Sequence, residues 1–251
     1  MVTEILMAQL LSKGVGVKLA PTAYSALVLN RRGFLDTVRQ VISPNISPNN
    51  VDQALNAAKR IEKMALDNKI HILVPSSHDF PNSLKTIPSP PVVLYARGNI
   101  SALSHHPAIA VVGTRQPASH GLAMSKQIST WLAKKDYSII SGLALGCDTA
   151  AHLGALEGEG KGKTVAVLAH GLDTVYPTIN TALARRIIEN GGCLLSEYAP
   201  GVTAQKHYFP ARNRLQSGLS QGVVVIECGE QSGTMHTCLL YTSDAADDTP
   251  C

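Results

Sequence analysis

The residues most suited to binding chemistry lie in the stretch QKHYFPARNR, residues 205–214. It sets basic side chains around the adjacent aromatics Tyr208 and Phe209, and no Asp or Glu occurs between 198 and 226. Aromatic residues make up only 4% of the chain, so this pair is unusual in a basic segment. The pattern favours a ligand that is both flat and negatively charged, whereas the ordinary alternative is a solvated loop.

Composition is compatible with a nucleic-acid partner without requiring one. The first 237 residues carry all 22 basic and 15 of the 18 acidic residues, which gives a net charge of +7. Five widely spaced cysteines without a CxxC pair argue against a disulfide framework and a zinc site, and are typical of a reducing cytoplasm. We find no signal peptide and no apolar run of membrane-spanning length, so we expect no membrane insertion.

Hydrophobic periodicity predicts three regions and a tail. Residues 1–68 have helical spacing, and the Gly14–Gly16 turn resembles a SAM or helix-hairpin-helix module, or equally a plain helical cap. Residues 69–107 are rich in proline and predict a connecting segment with a short strand. From 108 to 237, buried apolar runs alternate with amphipathic helices, which predicts an α/β, Rossmann-like doubly wound parallel sheet. The last helix of this region is expected from about Ala211.

In such a sheet the carboxyl ends of all parallel strands meet at one edge, where ligands bind. The segments expected there carry glycines, hydroxyls and helix N-termini, which suit phosphate. Gly113 and Arg115 follow the first strand, the basic stretch follows the fourth, and Gly233-Thr234 follows the last. We therefore predict an anion-binding edge to which Arg115 adds a fork of donors.

Other chemistry at this edge is poorly supported. GTRQPASHG is not GxGxxG, and the chain has no Walker A motif, so no nucleotide cofactor is expected. Asp148 and His152 have the spacing of two metal ligands on a helix, but no third ligand is apparent, and we expect no metal. His170 and Asp173 could act as acid and base, although we favour a role in shaping the loop.

Six motifs, taken in order, resemble those of the DNA-processing protein A (DprA, also called Smf) family. They are VVGTR (111–115), SGLALGCDTAAH (141–152), HGLDTVYPTIN (170–180), SEYAPG (196–201), FPARNRLQSGLS (209–220) and VIECGEQSGTMHT (225–237). The segment 80–99 also resembles the lead into that family's Rossmann domain. The resemblance covers about residues 70–237 and depends on the ordered set, since no single motif is decisive.

The resemblance implies a non-catalytic, cytoplasmic protein of natural transformation. Such a protein binds and protects incoming single-stranded DNA, helps to load the RecA recombinase, and works as a homodimer. In this sequence it assigns DNA contacts to Arg115 and Lys206, and base stacking to Phe209. Arg212 is expected to face the same site more than Arg214, and one of these two arginines is expected to pair with Glu197 or a carbonyl and so hold the loop.

The sequence departs from the family pattern in two places. Leu145 and Cys147 stand where much of the family is expected to have Arg and Ile, which removes one positive charge. After residue 237 the chain changes to CLLYTSDAADDTPC, which resembles a truncated reading frame that runs into adaptor sequence. We therefore expect 238–251 to be non-native and the Rossmann-like domain to be incomplete.

Two other functions stay open on sequence alone. An enzyme of the nucleoside-monophosphate phosphoribohydrolase type would use the same phosphate-binding edge. Its PGGxGTxxE motif is matched here only by ECGEQSGT. The third hypothesis is a structural or partner-binding protein whose basic segment is merely solvated.

Overall fold

Short segments of four to six residues, most of them rich in apolar side chains, form the strands of a single sheet. The computed structural model describes residues 2–14, 46–104, 107–158, 160 and 163–228. Within them the strands are β1 (Ile70–Leu73), β2 (Leu94–Gly98), β3 (Ala108–Gly113), β4 (Ser138–Ser141), β5 (Thr164–Leu168), β6 (Cys193–Ser196) and β7 (Gly222–Ile226). The helices are α1 (Val2–Gly14), α2 (Pro48–Asp67), α3 (Ser119–Lys134), α4 (Cys147–Glu157), α5 (Thr181–Glu189) and α6 (Tyr208–Gly218).

The seven strands have the order β1-β2-β6-β5-β4-β3-β7. From β6 to β7 every neighbouring pair is parallel, and β4, β5 and β6 are buried at every position. Such burial on both faces explains why these strands read as unbroken apolar runs. The predicted Rossmann-like, doubly wound α/β fold is confirmed.

The sheet is mixed rather than wholly parallel. β2 pairs antiparallel with β6, and β1 pairs antiparallel with β2. Both strands come from 69–107, the segment that the prolines had marked as a connection. The six prolines of this segment all lie outside the two strands, so they interrupt no ladder hydrogen bond.

The helices cover both faces of the sheet. Buried residues of α1, α2 and α5 form one hydrophobic cluster with Tyr95 and Leu194 of the sheet, so the described part of 1–68 shares this core. The opposite face is covered by α6 and by two short 3₁₀ helices, Asn82–Lys85 and Ile100–Leu103. α3 and α4 pack together against β3 and β4. None of the helices within the described residues is long and apolar enough to cross a membrane.

Helix α6 begins at Tyr208, three residues earlier than the sequence pattern predicts. Pro210 misled that prediction, because proline usually marks the start of a helix. It lies here in the first turn of α6, where a backbone N–H has no intrahelical acceptor and its absence costs nothing. The earlier start brings Phe209 onto the helix. The predicted tail 238–251 and the second half of the Gly14–Gly16 turn lie outside the described residues.

Candidate functional site

An open cleft of about 990 Å³ lies over the carboxyl ends of the parallel strands. The segments that follow β3, β4, β5 and β6 each contribute to its walls, as the sequence predicts for this edge. It is lined by Val112, Gly113, Thr114, Arg115, Ala144, Asp148, His170, Thr174, Val175, Tyr176, Thr178, Thr203, Ala204, Lys206, Phe209, Pro210, Arg212, Asn213 and Gln216. Five of the seven residues predicted for the site therefore meet in one cleft, and Gly233 and Thr234 lie outside the described residues.

Arg115 and Phe209 meet at the mouth of this cleft although they are far apart in the sequence. The Arg115 guanidinium carbon lies 4.8 Å from the centroid of the Phe209 ring, within the range of a cation–π contact. The Tyr176 ring lies on another side of Phe209, with centroids 6.2 Å apart and planes tilted by 56°. Arg115 and Lys206 are exposed and Phe209 is half-buried. The mouth thus combines two solvated cations with an aromatic surface.

Arg212 lines the cleft, as expected, but from an interior position. It is 6% exposed, and its guanidinium donates to the carbonyl oxygens of Gly142 and Val167 and to Asn213 Oδ1. Burial lowers its pKa to about 10 and the nearby charge of Asp148 opposes that shift. Arg212 therefore supports the floor of the cleft from below.

Asp148 complements Arg212 and fixes the turn after β4. Its Oδ2 accepts hydrogen bonds from the backbone N–H groups of Gly142 and Ala144, at 3.2 and 3.3 Å. Burial raises the pKa of this carboxyl, and the charge of Arg212 is the main influence that lowers it again. A side chain at Gly142 would collide with both partners. The pair is a buried structural centre beneath the ligand-binding surface.

Two helix N-termini that could have bound phosphate are occupied by the protein's own carboxylates. Asp148 lies in the first turn of α4. Glu227, directly after β7, accepts a hydrogen bond of 2.8 Å from Ala118 N at the start of α3. The exposed positive charges left at this edge are those of Arg115 and Lys206 among the residues that line the cleft. The sequence gives no signal for the Glu227 contact, which joins residues 109 positions apart.

Gly113 is required by close packing. A Cβ there would overlap the carbonyl oxygen of Ile226 and lie 2.6 Å from Cys147 Sγ. The glycine thus lets β3 pass between β7 and the start of α4, which sets the path of the chain into Arg115. Its role is to position the cleft wall, whatever it also contributes to a ligand.

The candidate metal and acid–base residues are engaged in structural contacts. His152 is fully buried with Nδ1 2.7 Å from Thr164 Oγ1, and the described residues contain no cluster of three potential metal ligands. His170 Nε2 accepts from the Tyr176 N–H, so Nδ1 carries the proton and donates to the Gly171 carbonyl. Asp173 Oδ1 accepts from Gly201 N at 2.8 Å. His170 and Asp173 therefore shape the loop, as the sequence favours, and His170 also holds the backbone of Tyr176, whose ring lies beside Phe209.

The remaining residues of the basic stretch serve a second cluster beside the cleft. Arg214 Nη2 binds both carboxylate oxygens of Glu197 at 2.7 Å, so Arg214 is the one of the two arginines that pairs with this carboxylate. Tyr208 stacks on Tyr198 with ring centroids 4.1 Å apart, and His207 meets Tyr208 edge-on at 4.4 Å. The sequence does not predict the stacking of Tyr208 on Tyr198, because it depends on how the loop after β6 folds against the start of α6.

Fold and cleft together define a Rossmann-like ligand-binding protein with a basic and aromatic mouth at the carboxyl ends of its strands. Comparison with known proteins identifies its family. The model of the DNA recombination-mediator protein A family matches residues 71–244, and the chain belongs to that family.

The relatives agree with this assignment in sequence and in structure. The DNA processing protein DprA of Bacillus subtilis is 36% identical over 204 residues, which are 81% of this chain and 68% of the relative. DprA of Streptococcus pneumoniae is 42% identical over 159 residues, which are 63% of this chain and 55% of the relative. Protein Smf of Synechocystis is also 42% identical, over 66% of this chain but only 42% of its own length.

Two solved structures share the fold. The X-ray structure of Streptococcus pneumoniae DprA superposes with a TM-score of 0.68 and 31% identity, over 98% of this chain and 80% of that one. DNA processing protein A from Helicobacter pylori, described for its single-stranded DNA binding mode, gives a TM-score of 0.62 and 30% identity. That match covers 70% of this chain and 77% of the other.

Proposed function

We propose that this chain is a non-catalytic protein that binds single-stranded DNA across the cleft. The observation that carries the proposal is the contact of Arg115 with Phe209 at the mouth, 4.8 Å from guanidinium carbon to ring centroid. Proteins that bind single strands without sequence preference combine cations along the backbone with aromatic rings on which bases stack. The solved relative from Helicobacter pylori is described as a single-stranded DNA binder, which supports the same use of this fold.

The electrostatic part of the proposal assigns phosphate contacts to Arg115 and Lys206. Both side chains are exposed and line the cleft, whereas Asp148, the one acid among the described lining residues, is paired with Arg212. Each phosphate contact releases condensed counterions, so affinity falls as salt is raised. Arg212 is assigned an indirect role, holding the floor on which the strand lies.

The aromatic part assigns base stacking to Phe209, with Tyr176 as its neighbour. Tyr176 is 51% exposed, so its ring can be reached by a ligand. Its backbone N–H donates to His170, which fixes the position of the residue. A stacked base contributes on the order of 1–3 kcal/mol and tolerates any sequence. The Tyr176 and Phe209 ring centroids are 6.2 Å apart, so the two rings form one aromatic surface against which a DNA strand can lie.

Family membership extends the proposal beyond the cleft. We assign the chain to natural transformation in the cytoplasm, where it protects incoming single-stranded DNA and helps to load RecA, acting as a homodimer. Gly113, Gly233 and Thr234 are proposed to line the DNA path with the backbone approach that glycine permits. These assignments depend on membership of the family and on the resemblance of the six motifs.

A charge-reversal experiment tests the central proposal. The Arg115→Glu, Lys206→Glu double variant should lose most of its affinity for a fluorescent oligo-dT, measured by anisotropy at low salt against wild type. Lys59→Glu, on the exposed face of α2 and outside the cleft, is the matched control. Unchanged affinity in the double variant would exclude the cleft as the binding site, and release of free base from a mononucleotide would favour a phosphoribohydrolase instead.

A further inference from the structure

The inner end of the cleft contains a polar side chain that the phosphate and stacking contacts do not use. Phe209, Arg212, Asn213 and Gln216 line the cleft from the same helix, α6. Gln216 comes seven residues after Phe209, which places it about 10 Å further along the helix axis. The cleft therefore extends about two helical turns below its aromatic mouth.

Gln216 is buried there with an unused hydrogen-bond donor. Its side chain is only 2% exposed, and its Nε2 has no hydrogen-bond partner among the described residues. Arg212 and Asn213, one turn nearer the mouth, bond to each other. An amide N–H buried without an acceptor destabilises a fold, so its presence in the wall of an open cleft calls for an acceptor supplied by a ligand.

The surroundings of Gln216 suit a nucleobase better than a phosphate. The exposed cations, Arg115 and Lys206, are at the mouth, while the charge of Arg212 is balanced by Asp148 and directed at carbonyl oxygens. Val112 and Val175 add apolar surface to the lining. A neutral amide donor beside apolar surface matches the edge of a base, whereas a phosphate at this depth would lie away from the exposed cations Arg115 and Lys206.

We propose that the inner cleft accepts the edge of one nucleobase, with Gln216 Nε2 donating a hydrogen bond to a carbonyl oxygen of that base. This inference rests on the proposed binding of single-stranded DNA and adds a base preference to it. Thymine offers two carbonyl oxygens. Adenine accepts only at ring nitrogens, and its N1 and N7 lie beside the N6 amino group, a donor that opposes the amide N–H, so the subsite favours thymine at the inserted position. The neighbouring nucleotides cross the mouth without discrimination.

The preference for oligo-dT over oligo-dA measures this contact separately from overall affinity. The preference is the dissociation constant for oligo-dA divided by that for oligo-dT. In Gln216→Met, which keeps the side-chain length and removes the donor, this ratio should fall by about threefold to tenfold, the effect of one hydrogen bond. The thermal midpoint should stay the same or rise, because a buried unpaired donor has been removed. Gln127→Met, exposed on α3 and outside the cleft lining, should keep the wild-type ratio.

Each other outcome has a definite meaning. An unchanged ratio with wild-type affinity for oligo-dT overturns the inference and leaves the proposed function standing. A lower thermal midpoint with equal loss on both oligonucleotides assigns Gln216 a purely structural role. If Gln216→Met does not fold, Gln216→Glu provides the same test, since it replaces the donor by an acceptor and should weaken oligo-dT more than oligo-dA. Failure of wild type to bind either strand refutes the proposed function itself.

Discussion

Replacing Arg212 by methionine should destabilise the protein, and more so at neutral than at acid pH. The substitution removes the hydrogen bonds to the Gly142 and Val167 carbonyl oxygens and leaves Asp148 as a buried carboxylate without its counter-charge. Removing one of two buried opposite charges leaves the other uncompensated, which costs about 3–5 kcal/mol. Against a total stability of about 5–15 kcal/mol for a domain, that loss is large but still measurable by denaturation.

The pH dependence follows from the carboxyl that remains. Burial already raises the pKa of Asp148 above its ordinary value of 3.8, and the loss of Arg212 removes the main influence that lowers it. The folded variant then binds a proton at a pH at which the unfolded chain does not. Its deficit relative to wild type should therefore shrink as the pH falls from 7 toward 3.8, by up to about 1.4 kcal/mol per unit.

Urea denaturation of wild type, Arg212→Met, Asp148→Asn and the double variant at pH 7 and pH 5 measures both effects. We expect the double variant to be more stable than the sum of the single losses implies, because the uncompensated charge is gone. A deficit below about 1 kcal/mol for Arg212→Met, or one that neither pH nor Asp148→Asn alters, would refute the assignment of a buried structural pair.

Three further predictions concern separate parts of the site. Phe209→Ala should weaken oligo-dT binding by about 1–3 kcal/mol in an anisotropy titration while Phe209→Trp retains it; equal affinity in both variants would argue against stacking. Glu197→Gln should lower the free energy of unfolding by about 1.5–3 kcal/mol through loss of the bidentate bond from Arg214, and an effect no larger than that of an exposed Glu→Gln change would contradict it. Burial, aided by the charge of Arg212, lowers the pKa of His152 from 6.5 to about 3. Between these values the unfolded chain binds a proton at His152 and the folded chain does not, so the protein loses stability as the pH falls below 6.5. His152→Gln should lose less stability than wild type between pH 6.5 and 5 in parallel denaturation curves, and identical slopes would show that His152 does not titrate on unfolding.

Local sequence pattern was sufficient for most of the fold because the informative residues act locally. Unbroken apolar runs such as TVAVL at β5 can be satisfied only by strands covered on both faces, and the alternation with amphipathic helices fixes parallel pairing. The same pattern could not show that β1 and β2 complete the sheet. β2 pairs antiparallel with β6, about a hundred residues further along the chain, and β1 joins the sheet through β2. The prolines between β1 and β2 predict only turns.

The candidate site divides in the same way. Arg115 and Phe209 could be expected at one edge, because both follow the carboxyl ends of parallel strands. The interior role of Arg212 could not be predicted, since it depends on Asp148, which lies 64 positions earlier and meets it only in the folded protein. The contact of Glu227 with the start of α3 has no local sequence signal, because the two residues are distant in the chain. The same is true of the unused donor of Gln216.

The salt dependence of oligo-dT binding tests the central claim most directly, since it counts the phosphates that Arg115 and Lys206 contact. The logarithm of the association constant should fall linearly with the logarithm of salt concentration. In Arg115→Gln and in Lys206→Gln the slope should be shallower by about 0.7, the value of one phosphate contact on a single strand. Lys59→Gln should keep the wild-type slope. Slopes that are identical in all four proteins would contradict the assignment of these two cations to the DNA backbone.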